Sequence, residues 1–341
     1  MAKYNTKVLG FGDNVVDLYE HSHMMYPGGN CVNLCAYSKM FGVERAAYMG
    51  YFGSDDIAEF VISVLHKLDI ETVKCRQLVG ENGWSKCTLI EGDRIFGDYN
   101  KGGVRGKTPY VLDRFDLEYM KQFDFVHTGN YCYTESQLEV MKEAGIKISF
   151  DFSDDSSKEY YEKYAPYVTY AFCSFDGNDE EAREHLKFIH SLGPEIASLT
   201  RGSKGCIMYD GEQFYVQPAT PVKTVVDTMG AGDSFLTAFM DCYVDLTKKG
   251  TEKSEAIRTA LAEASEFAAY VCTLNGAFGY GKSYEDFEKI IYVFLTIFLY
   301  LLKCPQSLIL WALRAFCFCG KPHISRSIFL YFRYQAWLKS W

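Results

Sequence analysis

The run Asp227-Thr-Met-Gly-Ala-Gly-Asp233-Ser-Phe-Leu-Thr-Ala238 carries the strongest structural signal in the chain. Gly230, Ala231 and Gly232 indicate a turn whose backbone a ligand can approach closely, because two of the three residues have no side chain. The apolar residues after the turn predict a helix over 232–246. The first N–H groups of that helix and the positive end of its dipole then face the turn, which predicts an anion-binding site there.

Asp233 lies at the edge of this predicted turn. A carboxylate at that place can accept the proton of a hydroxyl that attacks a phosphoryl group held by the turn. We therefore predict Asp233 as a catalytic base, with Gly230, Ala231 and Gly232 binding the transferring group. The pattern leaves one alternative open, in which Asp233 only caps the helix.

Composition excludes several classes of protein. A chain of 341 residues with 48% hydrophobic residues and 8 prolines is long enough for a large core and is not a disordered polymer. Its net charge of −9 argues against nucleic acid as a partner. The 12 cysteines form no CxxC pair, so zinc and thioredoxin-type motifs have no support. Because the N-terminus is polar and shows no secretory leader, we predict reduced thiols and a cytoplasmic location.

The last 52 residues differ from the rest in composition. Residues 290–341 contain six Lys/Arg and no Asp or Glu, so residues 1–289 carry a net charge of −15. The apolar run 290–302 is shorter than the roughly 20 residues that span a bilayer, and the run 308–319 contains Arg314. A membrane anchor and a buried terminal helix are the alternatives. The pattern favours a third interpretation, in which the working domain is 1–289 and the tail 290–341 is not part of its fold.

Strands and helices alternate along residues 1–289. Apolar runs predict strands at 7–12, 46–50, 125–128, 146–152, 170–173 and 196–200. Helical spacing of apolar residues predicts helices at 29–41, 57–68, 134–144, 179–192, 232–246 and 254–273. Short strands separated by helices predict an α/β fold with a doubly wound, mostly parallel sheet covered on both faces. The runs 86–91 and 95–99 flank Gly92-Asp93-Arg94, which predicts a β-hairpin that lies apart from this sheet and can cover a site.

The glycines after the first predicted strand do not form a dinucleotide fingerprint. Gly10-Phe-Gly12 is followed by Val15 where the fingerprint has its third glycine, and Asp13 and Asp17 would repel a pyrophosphate. The same carboxylates suit sugar hydroxyls or an ammonium group. No GxxxxGK[ST] motif is present, which excludes a typical P-loop.

Two further elements accompany the Asp227 run. Thr200-Arg-Gly202-Ser-Lys-Gly205 follows a predicted strand and can wrap the phosphates of a nucleotide, although a plain turn explains it equally well. In Gly28-Gly29-Asn30-Cys-Val-Asn33 the glycines allow close approach of a small molecule and the two amides can bind hydroxyls. Helix capping by Asn30 is the alternative there.

Together these motifs resemble the PfkB (ribokinase-like) carbohydrate kinases over residues 6–285. The Asp227 run resembles the family's C-terminal signature, with Thr237 where a smaller residue is usual, and GGNCVN and TRGSKG resemble its other two motifs. The resemblance implies a ribokinase-like three-layer αβα fold with a small β lid at about 86–105, which in this family often also forms a homodimer interface.

The resemblance also implies an activity, ATP-dependent phosphorylation of a sugar hydroxyl with Asp233 as base. It implies a sugar site and a nucleotide site, the latter including a loop that contacts adenine. Asn178 and Glu181 match an element that places Mg²⁺ through water, with an acidic helix N-terminus as the alternative. The sugar-site residues are Asp17, Gly28, Gly29, Asn30 and Asn33, and the nucleotide-site residues are Thr200, Gly202, Gly205, Asn275 and Ala277.

Within the family, the chain looks most like fructoselysine 6-kinases. The residues that carry this likeness are Gly12-Asp-Asn-Val-Val-Asp17, Asp93-Arg-Ile-Phe-Gly-Asp-Tyr99, Asp151-Phe-Ser-Asp154 and DTMGAGDSF. Fructoselysine has a cationic amine and an amino-acid end, so Asp13, Asp98 and Asp154 are candidate partners of the amine and Arg94 of the carboxylate. The alternatives are another sugar kinase of fructokinase or ribokinase type, or a non-catalytic sugar-binding homologue, which the presence of Asp233 disfavours.

Overall fold

The computed structural model describes residues 2–90, 93–154 and 157–284, with the backbone alone described for residues 90, 93 and 94. The chain divides after Ser283, and the first unit, residues 1–283, is compact. The predicted tail, 290–341, lies outside the described residues, so the account below concerns the first unit.

The strands of the described residues form two sheets. One has nine strands in the order β13-β12-β11-β10-β9-β8-β1-β4-β5, and the other has five in the order β14-β3-β2-β6-β7. The strands, in chain order, are β1 (Tyr4–Gly12), β2 (Val15–Tyr19), β3 (Met24–Gly28), β4 (Val43–Phe52), β5 (Arg76–Gln77), β6 (Gly83–Ile90), β7 (Asp93–Tyr99), β8 (Phe125–Gly129), β9 (Ile148–Asp151), β10 (Tyr170–Ser174), β11 (Ile196–Thr200), β12 (Cys206–Tyr209), β13 (Phe214–Gln217) and β14 (Lys282–Ser283).

The nine-stranded sheet is parallel except at one edge. β1 pairs in parallel with β4 on one side and with β8 on the other, so the strand order reverses direction along the chain at β1. β8, β9, β10 and β11 continue in parallel. At the edge, β12 pairs antiparallel with β11 and with β13, so β12 alone runs opposite to the other strands of this sheet. This confirms the predicted mostly parallel sheet. In such sheets ligands bind at the carboxyl edge beside the strand where the order reverses.

Helices cover both faces of this sheet. One layer packs a buried core against β1 through Leu9 and Phe11 and includes Met120, Met141 and Leu186 from three helices. The other layer contains α1, α8 and α9, of which α1 and α8 pack on β1. The α-helices of the described residues are α1 (Asn30–Phe41), α2 (Asp56–Lys67), α3 (Val104–Lys107), α4 (Arg114–Met120), α5 (Leu138–Glu143), α6 (Lys158–Tyr164), α7 (Asp179–Ser191), α8 (Ala231–Lys248) and α9 (Lys253–Val271).

The predicted three-layer αβα architecture is therefore confirmed. Among the helices described, none combines the length and the apolar character that a bilayer span requires.

The second sheet contains the predicted hairpin. β6 and β7 pair antiparallel, as predicted, and lie outside the main sheet. The prediction was incomplete, because β2 and β3 also belong to this sheet and β2 pairs with β6 in parallel. We call this five-stranded sheet the lid sheet. The chain thus leaves the main sheet at the end of β1, forms two strands of the lid sheet and returns as α1.

Candidate active site

Polar side chains from distant parts of the chain meet at the carboxyl edge of the main sheet. Asp13 directly follows β1, and Asp151 is the last residue of β9. The helices α1 and α8 begin beside them, at Asn30 and Ala231. Because parallel strands end on one edge and the following helices start there, this edge collects carboxylates and helix N-termini together.

Asp233 is held by two amides of α1. Its Oδ1 accepts a hydrogen bond of 3.0 Å from Asn30 Nδ2, and its Oδ2 accepts one of 2.6 Å from Asn33 Nδ2. Asp233 is the third residue of α8, and the N-cap of that helix, Gly230, has no side-chain capping bond. The capping alternative for Asp233 is therefore wrong. The amides of the predicted sugar site and the predicted base form one cluster.

Asn30 lies between two carboxylates. Besides Asp233, its Nδ2 donates to Asp151 Oδ2 at 3.0 Å. Since both amide hydrogens face carboxylates, Oδ1 of Asn30 faces His127 Nε2, 2.7 Å away, and His127 must donate. The residue preceding α1 is Gly29, with φ 100°, and the N-cap makes no side-chain capping bond. Helix capping by Asn30 is wrong as well.

His127 fixes the orientation of Asn30. It is fully buried, and burial lowers the pKa of His127 to about 3, so its ring is neutral near pH 7. Its Nδ1 lies 2.9 Å from Ser149 Oγ, which donates to it because Nε2 carries the proton. A chain of hydrogen bonds therefore leads from the core of the sheet through His127 and Asn30 to Asp233.

The position of Asp151 in this cluster disfavours the charged form of its carboxyl group. Burial, and then the neighbouring negative charge of Asp233, raise the pKa of Asp151 to about 7. Hydrogen bonds from the backbone N–H of Ser153 and from Asn30 oppose that rise. Near neutral pH the pair Asp151 and Asp233 therefore shares less than two full negative charges.

Asp13 caps α1 from outside the helix. Its two oxygens accept hydrogen bonds of 2.9 Å from the backbone N–H groups of Asn30 and Cys31. These are two of the N–H groups that a helix leaves without internal partners. Asp13 thus has a structural function. Its contact with a substrate remains a prediction.

Asp17 lies beside Gly28, two residues before the start of α1. It is 5% exposed, and a Cβ added to Gly28 would lie 2.5 Å from its Oδ2. Asp13, Asp17, Asp151 and Asp233 therefore surround the short segment 28–30. We call these four carboxylates the acidic ring.

The turn before α8 has the conformation that its glycine predicts. Gly230 has φ 71°, a left-handed conformation that favours glycine, and a Cβ there would lie 2.1 Å from the hydroxyl of Tyr37. Gly232 is exposed, with no atom within 4 Å of the place where its Cβ would be. Within the described part of the chain, the N–H of Gly232 has no hydrogen-bond acceptor. The α8 N-terminus is open to an anion.

A buried carboxylate holds this turn in place. Asp227 Oδ1 accepts from the N–H of Met229 at 2.9 Å. Its Oδ2 accepts from the Tyr19 hydroxyl at 2.6 Å and from the N–H of Gly276 at 3.0 Å. Asp227 is 1% exposed, and it joins the lid sheet, the turn before α8 and the loop around Asn275. Ala277, in that loop, accepts a hydrogen bond of 2.6 Å from Tyr37.

The predicted nucleotide turn joins two antiparallel strands. Gly202–Lys204 form a single 3-10 turn between β11 and β12, and Gly202 and Gly205 have φ 55° and 87°. Arg201 pairs with Asp179 at 2.7 Å, so its guanidinium links the turn to the start of α7. This agrees with the plain-turn alternative, and contacts of Thr200, Gly202 and Gly205 with a nucleotide remain predictions. Asn275 is exposed and Ala277 is buried.

Asn178 and Glu181 form the N-terminus of α7. Asn178 Oδ1 accepts from the backbone N–H groups of Glu180 and Glu181 at 3.0 Å, and Glu181 Oε2 accepts from the N–H of Asn178 at 3.0 Å. This reciprocal capping agrees with the alternative prediction, in which the two residues form an acidic helix N-terminus. Glu181 Oε1 accepts no hydrogen bond within the described residues, so a contact with metal-bound water stays a prediction.

The predicted partners of the substrate's amino-acid part are spread between lid and main sheet. Asp98 is exposed on β7, and Arg94 lies on the same strand opposite Leu89, with its side chain outside the described residues. Asp154 is exposed three residues after Asp151 and accepts a hydrogen bond from Ser153. Asp154 does act on the acidic ring electrostatically, because its negative charge contributes to the raised pKa of Asp151.

A three-layer αβα fold with an uncapped helix N-terminus and a carboxylate beside it defines a phosphotransferase of the ribokinase-like class. Residues 2–278 match the pfkB family of carbohydrate kinases, and the chain belongs to that family. It is a carbohydrate kinase, which confirms the family that the motifs predicted.

Two relatives and one solved structure illustrate the likeness. The chain is 36% identical over 281 residues to the fructosamine kinase FrlD of Bacillus subtilis (strain 168). This match covers 82% of this chain and 95% of that protein. It is 30% identical over 266 residues to fructoselysine 6-kinase of Escherichia coli (strain K12), covering 78% and 97%. The structure of Arabidopsis thaliana ribokinase complexed with ribose and ATP has a TM-score of 0.64 at 19% identity and covers 82% and 95%.

Asp151→Asn tests the crowding of charge at the site. The folded protein keeps a proton on Asp151 that the unfolded chain loses near pH 4, so this group favours folding at low pH and the benefit disappears as pH rises to about 7. We expect the melting temperature of the variant, relative to the parent, to rise by about 2 °C or more between pH 5 and pH 8. Thermal unfolding at several pH values measures this. For Asp56→Asn, an exposed position on α2 whose charge is not among the causes of the Asp151 shift, the difference should stay constant; a parallel trend in both variants contradicts the assignment.

Tyr19→Phe tests how much the hydrogen bonds of Asp227 stabilise the fold. The variant removes one donor from a buried carboxylate, which should lower the free energy of unfolding by about 1–3 kcal/mol. Urea unfolding followed by circular dichroism measures the loss. Tyr99→Phe removes a hydroxyl from a side chain that is 60% exposed and should change stability little. Equal effects of the two substitutions would show that the Tyr19–Asp227 hydrogen bond adds nothing to the free energy of unfolding.

Proposed function

We propose that this carbohydrate kinase transfers the γ-phosphoryl group of ATP to the 6-hydroxyl of fructoselysine. The acidic ring is the observation that supports fructoselysine as the substrate. Four carboxylates surround residues 28–30, more than a neutral sugar needs for its hydroxyls, whereas the cationic amine of fructoselysine gains from their charge. The printed names of the two relatives, a fructosamine kinase and a fructoselysine 6-kinase, support the same substrate class.

Asp233 acts as the base in this proposal. Asn30 and Asn33 each bind one of its oxygens, which fixes the plane of the carboxylate without giving it a proton. Each oxygen retains a lone pair, so a sugar hydroxyl placed beside Asp233 can donate to it as the new bond to phosphorus forms. The raised pKa of Asp151 limits the charge next to the base, which helps a phosphoryl group to approach.

The α8 N-terminus suits the group that is transferred. The open N–H of Gly232 and the dipole of an 18-residue helix face the turn, and both stabilise negative charge. ATP supplies the phosphoryl group when bound, with Thr200, Gly202, Gly205, Asn275 and Ala277 as the predicted contacts. Mg²⁺ would neutralise the phosphates, and exposed Glu181, beside Asn178, could hold its water ligands.

Two accompanying proposals concern the whole chain. Residues 1–289 form the kinase and the tail 290–341 lies outside its fold; the family match at 2–278 and the near-complete coverage of both relatives support this. The protein works in the cytoplasm, since the nine cysteines within the described residues are all free thiols.

The lid sheet is the proposed contact between two copies of the chain. Its outer strand β7 carries Ile95, Phe96 and Tyr99, which are 55%, 56% and 60% exposed. Large apolar side chains grouped on an edge strand are typical of a surface that pairs with another protein.

Asp233→Asn tests the base. The substitution keeps the shape of the side chain and removes its basicity, so kcat should fall by about 10²–10⁴-fold while binding of ATP and sugar persists. Coupled kinase assays and calorimetric titration measure the two quantities. Asp56→Asn, an exposed change on α2, is the matched control and should retain normal turnover. A kcat near that of the control in Asp233→Asn would refute the role.

A substrate panel tests the acceptor. With ATP and Mg²⁺, kcat/KM should be highest for fructoselysine and lower for fructose, ribose and glucoselysine. Asp154→Asn and Asp98→Asn should each raise KM for fructoselysine by up to about 5-fold and leave KM for fructose unchanged, because only the former carries an amine. Efficient turnover of ribose or fructose with none of fructoselysine would instead favour a ribokinase- or fructokinase-type activity.

A further inference from the structure

Two buried thiols lie against each other next to the acidic ring. The sulfur atoms of Cys31 and Cys132 are 3.5 Å apart, and Cys132 Sγ lies 3.3 Å from Asp13 Oδ1. One ligand atom from each of the three residues falls within 4.8 Å of the others. Both cysteines are fully buried, whereas Asp13 is partly exposed and connects the cluster with the crevice.

Gly12 makes room for the two sulfurs. A Cβ at this residue would lie 2.9 Å from Cys132 Sγ and 3.1 Å from Cys31 Sγ. Any larger residue would push the thiols apart. The end of β1 is therefore shaped to keep the sulfurs together, although the two cysteines are 101 residues apart in sequence.

The spacing fits a cation that prefers sulfur. Two thiolates bound tetrahedrally to one Zn²⁺ at about 2.3 Å lie about 3.8 Å apart, and a carboxylate oxygen bound at about 2.0 Å lies about 3.5 Å from each sulfur. The observed 3.5 Å and 3.3 Å fall slightly below these separations, so a cation needs only a small expansion of the cluster. A disulfide would need the sulfurs to close to about 2.05 Å, a larger movement.

We propose that Asp13, Cys31 and Cys132 bind a thiophilic divalent cation such as Zn²⁺, and that the bound cation inhibits the kinase. On binding, each thiol releases its proton to solvent, so that two thiolates and one carboxylate hold the ion and water is the fourth ligand. Thiolates are soft ligands, so the site selects Zn²⁺, Cd²⁺ or Co²⁺ over Mg²⁺.

Inhibition follows from the other contacts of Asp13. Its Oδ1 accepts both from the thiol of Cys132 and from the N–H of Cys31, and its Oδ2 accepts from the N–H of Asn30. A cation on Oδ1 draws the carboxylate away from these N–H groups and loosens the first turn of α1. Asn30 then no longer holds Asp233 in place. This second step rests on the proposed role of Asp233, whereas cation binding does not.

Co²⁺ titration without nucleotide tests the site independently of turnover. The starting protein is the full chain with Cys304, Cys317 and Cys319 replaced by Ser, so that thiols of the tail do not contribute. We expect one Co²⁺ per chain with strong thiolate-to-cobalt charge-transfer absorption in the near ultraviolet, which added Zn²⁺ abolishes. Cys132→Ser, whose hydroxyl can still donate to Asp13, should lose this absorption, and so should Cys31→Ser.

Cys35→Ala is the matched control. Cys35 is also a buried thiol of α1, but it donates to the carbonyl of Ala47, outside the cluster, so the absorption should persist. No charge-transfer absorption in a starting protein whose thiols are shown to be reduced, or equal absorption in Cys132→Ser, overturns the site.

Kinase assays at fixed free Zn²⁺ with excess Mg²⁺ test the second step. Zn²⁺ should inhibit the starting protein at concentrations at least ten times lower than those needed for Cys132→Ser. Cobalt binding together with equal Zn²⁺ sensitivity of both proteins would overturn the inhibition alone. If the metal-free starting protein phosphorylates no sugar, the proposed function fails, and the cobalt absorption still decides whether the site exists.

Discussion

The amide of Asn30 is the interaction on which the active site depends. Asp151 and Asp233 converge on one edge of the sheet, and two carboxylates so close together repel each other. One Nδ2 group donates a hydrogen to each of them and so holds them apart at a defined spacing. A neutral, buried His127 decides which way that amide points. If Asp233 is the base, as proposed, its hydrogen bonds from Asn30 and Asn33 reduce the reorganisation it needs when the substrate arrives.

The two helices that meet at this edge use their N-termini differently. The α1 N-terminus is occupied by a carboxylate of the protein itself, since Asp13 accepts from the N–H groups of Asn30 and Cys31. At the α8 N-terminus the N-cap is a glycine, and no side chain caps it. The same electrostatic property therefore anchors α1 and leaves α8 for an anionic ligand. In the proposed reaction, sugar and phosphate meet between the two helices.

Local signals in the sequence predicted the sheet, most helices, the glycine turn before α8 and the lid hairpin, because periodicity and glycine turns depend on neighbours in the chain. Contacts between distant residues could not be predicted in this way. Tyr19 and Asp227 are 208 residues apart, and Asn30 and Asp151 are 121 apart. β2 and β3 were missed because their stability comes from pairing within the lid sheet. Two signals pointed to Asp151, its position as a polar residue closing an apolar strand and the likeness of Asp151-Phe-Ser-Asp154 to the family. The thiol pair had no signal at all, since metal motifs in sequence are recognised by short spacing.

The buried carboxylate of Asp227 also constrains how the enzyme can open. Its bond from Tyr19 lies in β2, so the base of the lid sheet is tied to the segment that precedes α8. Swinging the whole lid sheet as a rigid flap would strip a buried ion of one of its hydrogen-bond donors. A lid that opened by bending only the outer part of the β6–β7 ribbon would keep this hydrogen bond. The turn before α8 would then be undisturbed by the opening.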